Sequence, residues 1–290
     1  MNNNVIAIAT LYKPDESVVE NMKILSGQVD TIILCDNSPE KSDAFCGISN
    51  CIYVFNDGVN LGLSAAFNKV LTNYDIYSWK DSDLIIFFDQ DSRIKKGYIY
   101  TIVQEYFNIR KIDENAGCVG PVFFNASNDL VETPHIKSQI TENSFRVNNV
   151  ITSSMLVRYS ALKAVDFWNE KIFLDLADWE LCWRLNKQGH QTYITKAVVL
   201  DHAVGFGDKK LGPLHIGIGA PIREYYQTRE ALYLMRKRYV PLKMRVRLWV
   251  NVYLRPLVHK LFLPDWDARK HYIERGREDY KKNIKGAYIP

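Results

Sequence analysis

The sequence predicts an α/β protein with a Rossmann-like, mostly parallel central sheet, flanking helices and a helical, basic C-terminal extension. Three observations carry this. Short apolar runs stop abruptly at polar residues, as LIIFFDQDS does over 84–92; such a run reads as a strand buried on both faces, the kind parallel sheets use. These runs alternate with helical stretches of ten or more residues, the pattern of βαβ units. From Ile222 onward the strand-like runs cease and the pattern becomes helical.

VIAIAT (5–10) is the first strand, and Asp15 caps a helix with apolar positions at Val18, Val19, Met22 and Leu25. TIILCDNS (31–38) and CIYVFND (51–57) are the next two strands. NLGLSAAFNKVL opens a helix near Gly62 that runs to about Tyr74, and LIIFFDQDS is the fourth strand. A helix over 98–107 precedes a strand in AGCVGPVFF, and residues 125–148 read as polar and irregular. SSMLVR is a strand and 159–165 a short helix. ADWELCWRLNKQG is an amphipathic helix stopped by Gly189, and QTYITKAVVLDHAVG returns to strand. Residues 205–219 hold five glycines and no apolar period, which reads as a long loop of the lid type.

Composition narrows the class. Of 290 residues 47% are apolar, enough for a substantial core and too many for a disordered chain. Five cysteines, scattered and without Cys-x-x-Cys spacing, argue against a disulfide framework or a zinc knuckle and suit a reducing cytosol. The N-terminus has no basic n-region, and no run of 18 uncharged apolar residues occurs, so neither a signal peptide nor a membrane span is expected. From Arg223 there are 17 Lys/Arg against 7 Asp/Glu, or +10; the total of +4 leaves −6 for the first 222 residues.

The ligand crevice of an open α/β sheet lies at the carboxyl ends of its strands. Asp89 and Asp91 stand there, where paired carboxylates hold a divalent cation, cap a helix or do acid–base work. Mg²⁺ takes oxygen ligands, typically one or two carboxylates plus substrate phosphates. Asp175, Asp178 and Glu180 cluster before and into the helix of FLDLADWELCWR, where a helix N-terminus favours a carboxylate. Asp178 and Glu180 point about 200° apart around a helix, so both cannot face one acceptor. His202 follows the strand VVL beside the glycine-rich segment, where imidazole could complete a metal shell. The residues after the first strand, LYKPDES, lack the glycine-rich phosphate loop of a nucleotidyltransferase. A nucleic-acid partner would account for the basic tail but not for acidic strand ends, so none is expected.

In this order, ATLYKP, CDNS, NLGLSAAFN, FDQDS and FLDLADWELCWR…DHAVG resemble the inverting GT-A glycosyltransferases of family 2, over residues 5 to about 205. REYYQTREALYL and IERGREDYKKNIKG are similar to the rhamnosyltransferase branch, which commonly has Asn where this chain has Glu230. The resemblance implies a GT-A nucleotide-sugar-binding and catalytic domain over 1–221 and a helical extension over 222–290. It implies that Thr10 and Tyr12 line the pyrimidine pocket and that Asp36 bonds the base or ribose. Asn60 and Gly62 would admit the nucleotide to the backbone, and Asp89 would hold the ribose or metal. Asp91 and His202 would hold Mg²⁺ or Mn²⁺, and Asp178 would be the general base. The implied activity is transfer of L-rhamnose from dTDP-β-L-rhamnose to a hydroxyl of a lipid-linked saccharide, in O-antigen, capsule or cell-wall polysaccharide synthesis. Transfer from another dTDP- or UDP-sugar, such as a hexose or galactofuranose, and a catalytically inactive nucleotide-sugar-binding protein are the alternatives.

The segment 240–263 is helical with a broad apolar surface and a basic stripe, which suits either an anionic membrane surface or a second subunit in a homodimer. The expected location is the cytoplasm, peripheral at the inner face of a bacterial plasma membrane.

Overall fold

The computed structural model describes the chain except residues 1–2, 126–129, 203–207, 212–213 and 218, and except the side chains of 124–132 and 202–218. The chain forms two compact units, one of residues 1–169 with 177–203 and one of 170–176 with 204–290.

The first unit is built on a sheet of ten strands among the described residues. Its first half comprises β1 (Val5–Leu11), β2 (Thr31–Asp36), β3 (Cys51–Phe55) and β4 (Leu84–Asp89), parallel throughout in the order β3-β2-β1-β4. The chain steps outward from β1 to β3 and then returns to the other side of β1. The β1–β4 boundary is therefore a topological switch point, the position at which open α/β sheets bind their ligands. The apolar runs work as their composition requires. Ala7, Ala9, Ile86 and Phe88 join the core beneath α1 (Glu16–Ser26) and α3 (Tyr98–Ile112). Alternate residues face the other way, where Phe87 meets Phe67 of α2 (Gly62–Leu71) and Trp168, with ring centroids 4.6 and 5.0 Å away. Asp15 caps α1, its carboxylate accepting from the Val18 N–H at 3.1 Å.

The second half holds β5 (Ala116–Asn125), β6 (Leu130–Glu132), β7 (Ser138–Gln139), β8 (Ser144–Val147), β9 (Met155–Arg158) and β10 (Gln191–His202). Strand β9 is antiparallel to both β4 and β5, and β10 is parallel to β5. Helix α4 (Tyr159–Ala164) follows β9, and α5 (Ala177–Lys187) packs on β5 and β10.

Three expectations need adjusting. The polar stretch 125–148 is not irregular throughout, because β8 joins the sheet antiparallel to β10. Helix α2 ends at Leu71, short of Tyr74: the Thr72 hydroxyl turns back onto the Asn68 carbonyl at 2.7 Å and Asn73 caps the Asp75 N–H. Helix α3 runs to Ile112, beyond 107, carried by buried Tyr106 and Ile109 on its inner side.

In the second unit, β11 (Asp208–Leu211) pairs antiparallel with β12 (Leu214–Gly217). The expected irregular lid loop at 205–219 is thus, over its described part, a two-stranded hairpin whose ladder supplies the hydrogen bonds that no apolar period announces; residues 205–207, 212–213 and 218 lie outside the described residues. Four helices follow: α6 (Arg223–Leu234), α7 (Leu242–Tyr253), α8 (Arg255–Phe262) and α9 (Trp266–Lys281). Helices α6 and α9 touch backbone to backbone at Gly276, where an added Cβ would stand 2.7 Å from the Tyr225 carbonyl oxygen. Phe173 stacks on Tyr226 at 4.4 Å, and the Tyr225 hydroxyl donates to Asp279 at 2.8 Å. No helix among the described residues is long and apolar enough to cross a membrane.

Candidate functional site

The sheet register gathers several of the expected residues at one edge. Thr10 is the ladder partner of Asp89, and Leu11 that of Asp36, so the ends of β1, β2 and β4 lie side by side. Tyr12, 45% exposed, leaves β1 there and is tied to β4 through Gln90. Its N–H donates to Gln90 Oε1 at 2.7 Å, and Gln90 Nε2 donates back to the Tyr12 carbonyl at 3.1 Å. The next residue, Lys13, has a positive φ of 49° and donates its N–H to Ser38 Oγ at 2.7 Å.

Asp36 is buried rather than open. Its Oδ1 accepts the Ser38 N–H at 2.8 Å and its Oδ2 accepts the Tyr53 hydroxyl. Burial and this carboxylate push the Tyr53 phenol up to about 12. Asp36 thus shapes the loop after β2. The neighbouring Asn37, which sequence reasoning passed over, joins that loop to the start of α2. Its Nδ2 donates to the Gly62 carbonyl at 3.1 Å, and its Oδ1 accepts from Asn56 at 2.8 Å and from the Leu61 N–H at 3.2 Å. Asn60 Oδ1 accepts the Gly62 N–H at 2.9 Å, and Gly62 adopts φ +74°, a conformation that glycine takes without strain. The signal for Asn37 and Asn56 was only their place, one residue beyond a strand end.

Asp89 closes β4, its N–H donating to Ser153 Oγ at 3.0 Å, while Asp91 stands exposed on the following turn. The backbone then brings in a distant strand end. The Arg93 N–H donates to the Asp201 carbonyl at 3.2 Å in an isolated antiparallel bridge. Asp91 and His202 are two residues and one residue from that bridge. The His202 side chain lies outside the described residues, and no cluster of three potential ligands occurs among those described. The donors that are described, two carboxylates on one turn, have the oxygen chemistry that Mg²⁺ and Mn²⁺ take together with diphosphate oxygens.

Of the three acidic residues around α5, two are occupied in packing. Glu180 is buried, paired with Arg184 at 2.8 Å and accepting from Asn169 at 2.8 Å. Asp175, in the second unit, pairs with Arg223. Asp178 sits in the first turn of α5, half-buried, its Oδ1 accepting the Trp179 N–H at 2.7 Å. Trp179 lines a cavity of about 170 Å³ with Pro121 and Phe123 of β5, Asn149, Ile151 and Ile194. Asp178 therefore belongs to the β5–β10 half of the sheet, and Thr10, Asp36 and Asp89 to the first half. Asn68 proves structural, exchanging hydrogen bonds with the Trp168 backbone at 2.8 and 3.0 Å.

No family model matches the chain. It is 29% identical over 265 residues to the dTDP-rhamnosyl transferase RfbF of Shigella flexneri, with 85% of each chain covered. Among solved structures it is similar to GalNAc-T7 with UDP, GalNAc and Mn²⁺, with a TM-score of 0.57, 12% identity, and 98% of this chain and 55% of that one covered. It is also similar to Staphylococcus aureus TarS, with a TM-score of 0.55 and 12% identity over 97% of this chain and 50% of that one. Residues 1–349 of TarS align with a TM-score of 0.54 and 13% identity, over 97% of this chain and 92% of that fragment. The chain thus spans about half the length of GalNAc-T7 and of the longer TarS chain. The fold is that of the GT-A glycosyltransferases.

Proposed function

We propose that this chain, a glycosyltransferase of the GT-A fold, moves L-rhamnose with inversion from dTDP-β-L-rhamnose to a hydroxyl of a lipid-linked saccharide. The work would be done at the cytoplasmic face of a bacterial membrane, in the synthesis of a surface polysaccharide. The observation that carries the reading is the meeting of strand ends at the switch point: Thr10, Asp36 and the Asp89–Asp91 turn, with the end of β10 bridged to Arg93. The likeness to a dTDP-rhamnosyl transferase supports the choice of donor.

Tyr12 offers a ring face for the pyrimidine, and Thr10 a hydroxyl at the same edge. Asn60 and Gly62 let the backbone come close to the nucleotide, and Asp36 holds the loop against which base and ribose rest. Asp89 takes the ribose or shares the cation, which Asp91 and His202 would hold. A divalent cation bound there supplies positive charge to the departing diphosphate. Asp178 accepts the proton of the acceptor hydroxyl as that oxygen attacks the anomeric carbon from the face opposite the leaving group. Trp179 and the cavity beside it offer a ring face to the acceptor sugar. Residues 1–221 would carry the catalytic machinery and 222–290 an extension.

The test is a panel of dTDP- and UDP-sugars with Mg²⁺ or Mn²⁺, scored for thermal stabilisation, donor hydrolysis and transfer. Selective response to dTDP-rhamnose, lost with EDTA, is expected. Preference for a UDP-sugar would overturn the donor assignment, and full activity in EDTA would overturn the metal.

A further inference from the structure

We infer that α7 and α8 form an in-plane docking face for an anionic phospholipid bilayer. On α7, Leu242, Val246, Trp249 and Tyr253 follow i, i+4, i+7, i+11 spacing, so they fall on one side of the helix. That side is exposed, at 68% for Leu242 and 49% for Trp249. On α8, Leu257 and Leu261 are one turn apart and 60% and 74% exposed. The apolar residues are not an inner face left uncovered, because each helix already has one. Leu248 and Val252 of α7 are buried, and His259 of α8 is buried against Glu224 of α6 at 2.8 Å. Arg255 adds a second tie to Glu224 at 3.2 Å. Both helices are fastened on one side and carry exposed apolar residues outside it.

Charge selects the occupant. Residues 241–264 contain Lys243, Arg245, Arg247, Arg255 and Lys260 and no Asp or Glu. By helix geometry Lys243 and Arg247 lie on the exposed side of α7, at about 100° and 140° from Leu242. Exposed cations on a helix with an exposed apolar stripe suit a surface of anionic headgroups over acyl chains. A symmetric contact with a second copy would set these cations, apart from the Glu224-paired Arg255, against themselves, with no carboxylate in the segment itself to offset them. At about 1.5 Å per residue, α7's 12 residues reach only about 18 Å, too short to span a bilayer and consistent with lying along its surface.

The inference is independent of donor and acceptor, and vesicles lacking any saccharide test it. The full-length protein is mixed with vesicles of phosphatidylcholine alone or with phosphatidylglycerol, and bound protein is measured by flotation. Binding to the anionic vesicles that weakens with added salt is expected. Leu257→Glu with Leu261→Glu, and separately Lys243→Glu with Arg247→Glu, should each lower partitioning on the order of tenfold or more. Far-UV circular dichroism and dTDP binding should stay unchanged, which establishes that both variants fold. Absence of anionic-vesicle binding, or binding indifferent to either pair of substitutions, overturns the inference. So does a concentration-dependent dimer, seen by sedimentation, that Leu257→Glu/Leu261→Glu dissolves while vesicle binding is absent.

Discussion

Asp178 is the residue on which transfer, as distinct from binding, should turn. A general base acts on the acceptor, so Asp178→Asn should leave dTDP affinity within about twofold and lower transfer by roughly 10²–10⁴-fold. Steady-state transfer and calorimetric nucleotide binding, measured side by side, check this; normal turnover would remove Asp178 from the chemistry. Glu180→Gln should fail differently. It strips the partner from a largely buried Arg184, a change that typically costs about 3–5 kcal/mol, and should show first as a lowered Tm. Glu230 offers a pH-dependent counterpart. Burial pushes its carboxyl up from an ordinary 4.5 to about 8, although its Oε1 accepts the Phe173 N–H at 2.8 Å and Arg229 stands 3.4 Å away. Between about 4.5 and 8 the folded state keeps a proton that the unfolded chain has released, so this group's contribution to stability falls as pH rises through that window. Glu230→Gln should therefore match the parent's Tm near pH 4 and exceed it increasingly toward pH 8. A constant Tm difference across that range would contradict this.

At the scale of elements, the tightest demand is the α6–α9 crossing. Gly276→Ala would place a methyl 2.7 Å from the Tyr225 carbonyl oxygen, and backbone cannot yield as a side-chain tip can. The helices must part, opening the Tyr225–Asp279 hydrogen bond between them. A loss of roughly 1–3 kcal/mol is expected in denaturant unfolding followed at the second unit; an unchanged midpoint would show that the crossing relaxes freely. Strands buried on both faces were legible in the sequence, because such burial demands unbroken apolar runs. That is why β1, β2 and β4 begin where VIAIAT, TIILCDNS and LIIFFDQDS begin and end within three residues of where those runs end. Strand β8 was not legible. Only its end residues, Ser144 and Val147, are buried, one of them polar, and it is a strand because β10 offers it a ladder. Helix boundaries were missed for a related reason: α2 is stopped by side-chain bonds from Thr72 and Asn73 that no periodicity announces.

At the scale of the whole molecule, the candidate site depends on sheet order. The polar strand ends could be read from the sequence, but their adjacency could not. It comes from β1 lying between β2 and β4, and from a backbone bridge across more than a hundred residues, Arg93 to Asp201. The same holds for Asn37, whose three partners come from the loops around β3 and α2. If cation binding depends on that convergence, Asp91→Ala should abolish the Mg²⁺- or Mn²⁺-dependent tightening of dTDP binding while sparing metal-free affinity. Titration calorimetry with and without EDTA reads both; metal-dependent tightening that survives the substitution would move the cation elsewhere.

The middle letter of Asp89-Gln90-Asp91 is commonly written as a wildcard, yet here it is spelled out by geometry. Gln90 offers one donor and one acceptor to the backbone of Tyr12, a match that a carboxylate, a hydrocarbon or a lysine cannot reproduce. A saturation library at this codon would therefore not behave as neutral padding between two essential positions. Its survivors would report which side chains can still clasp the loop on the neighbouring strand, and a search pattern that ignores the middle position discards the information linking the two loops.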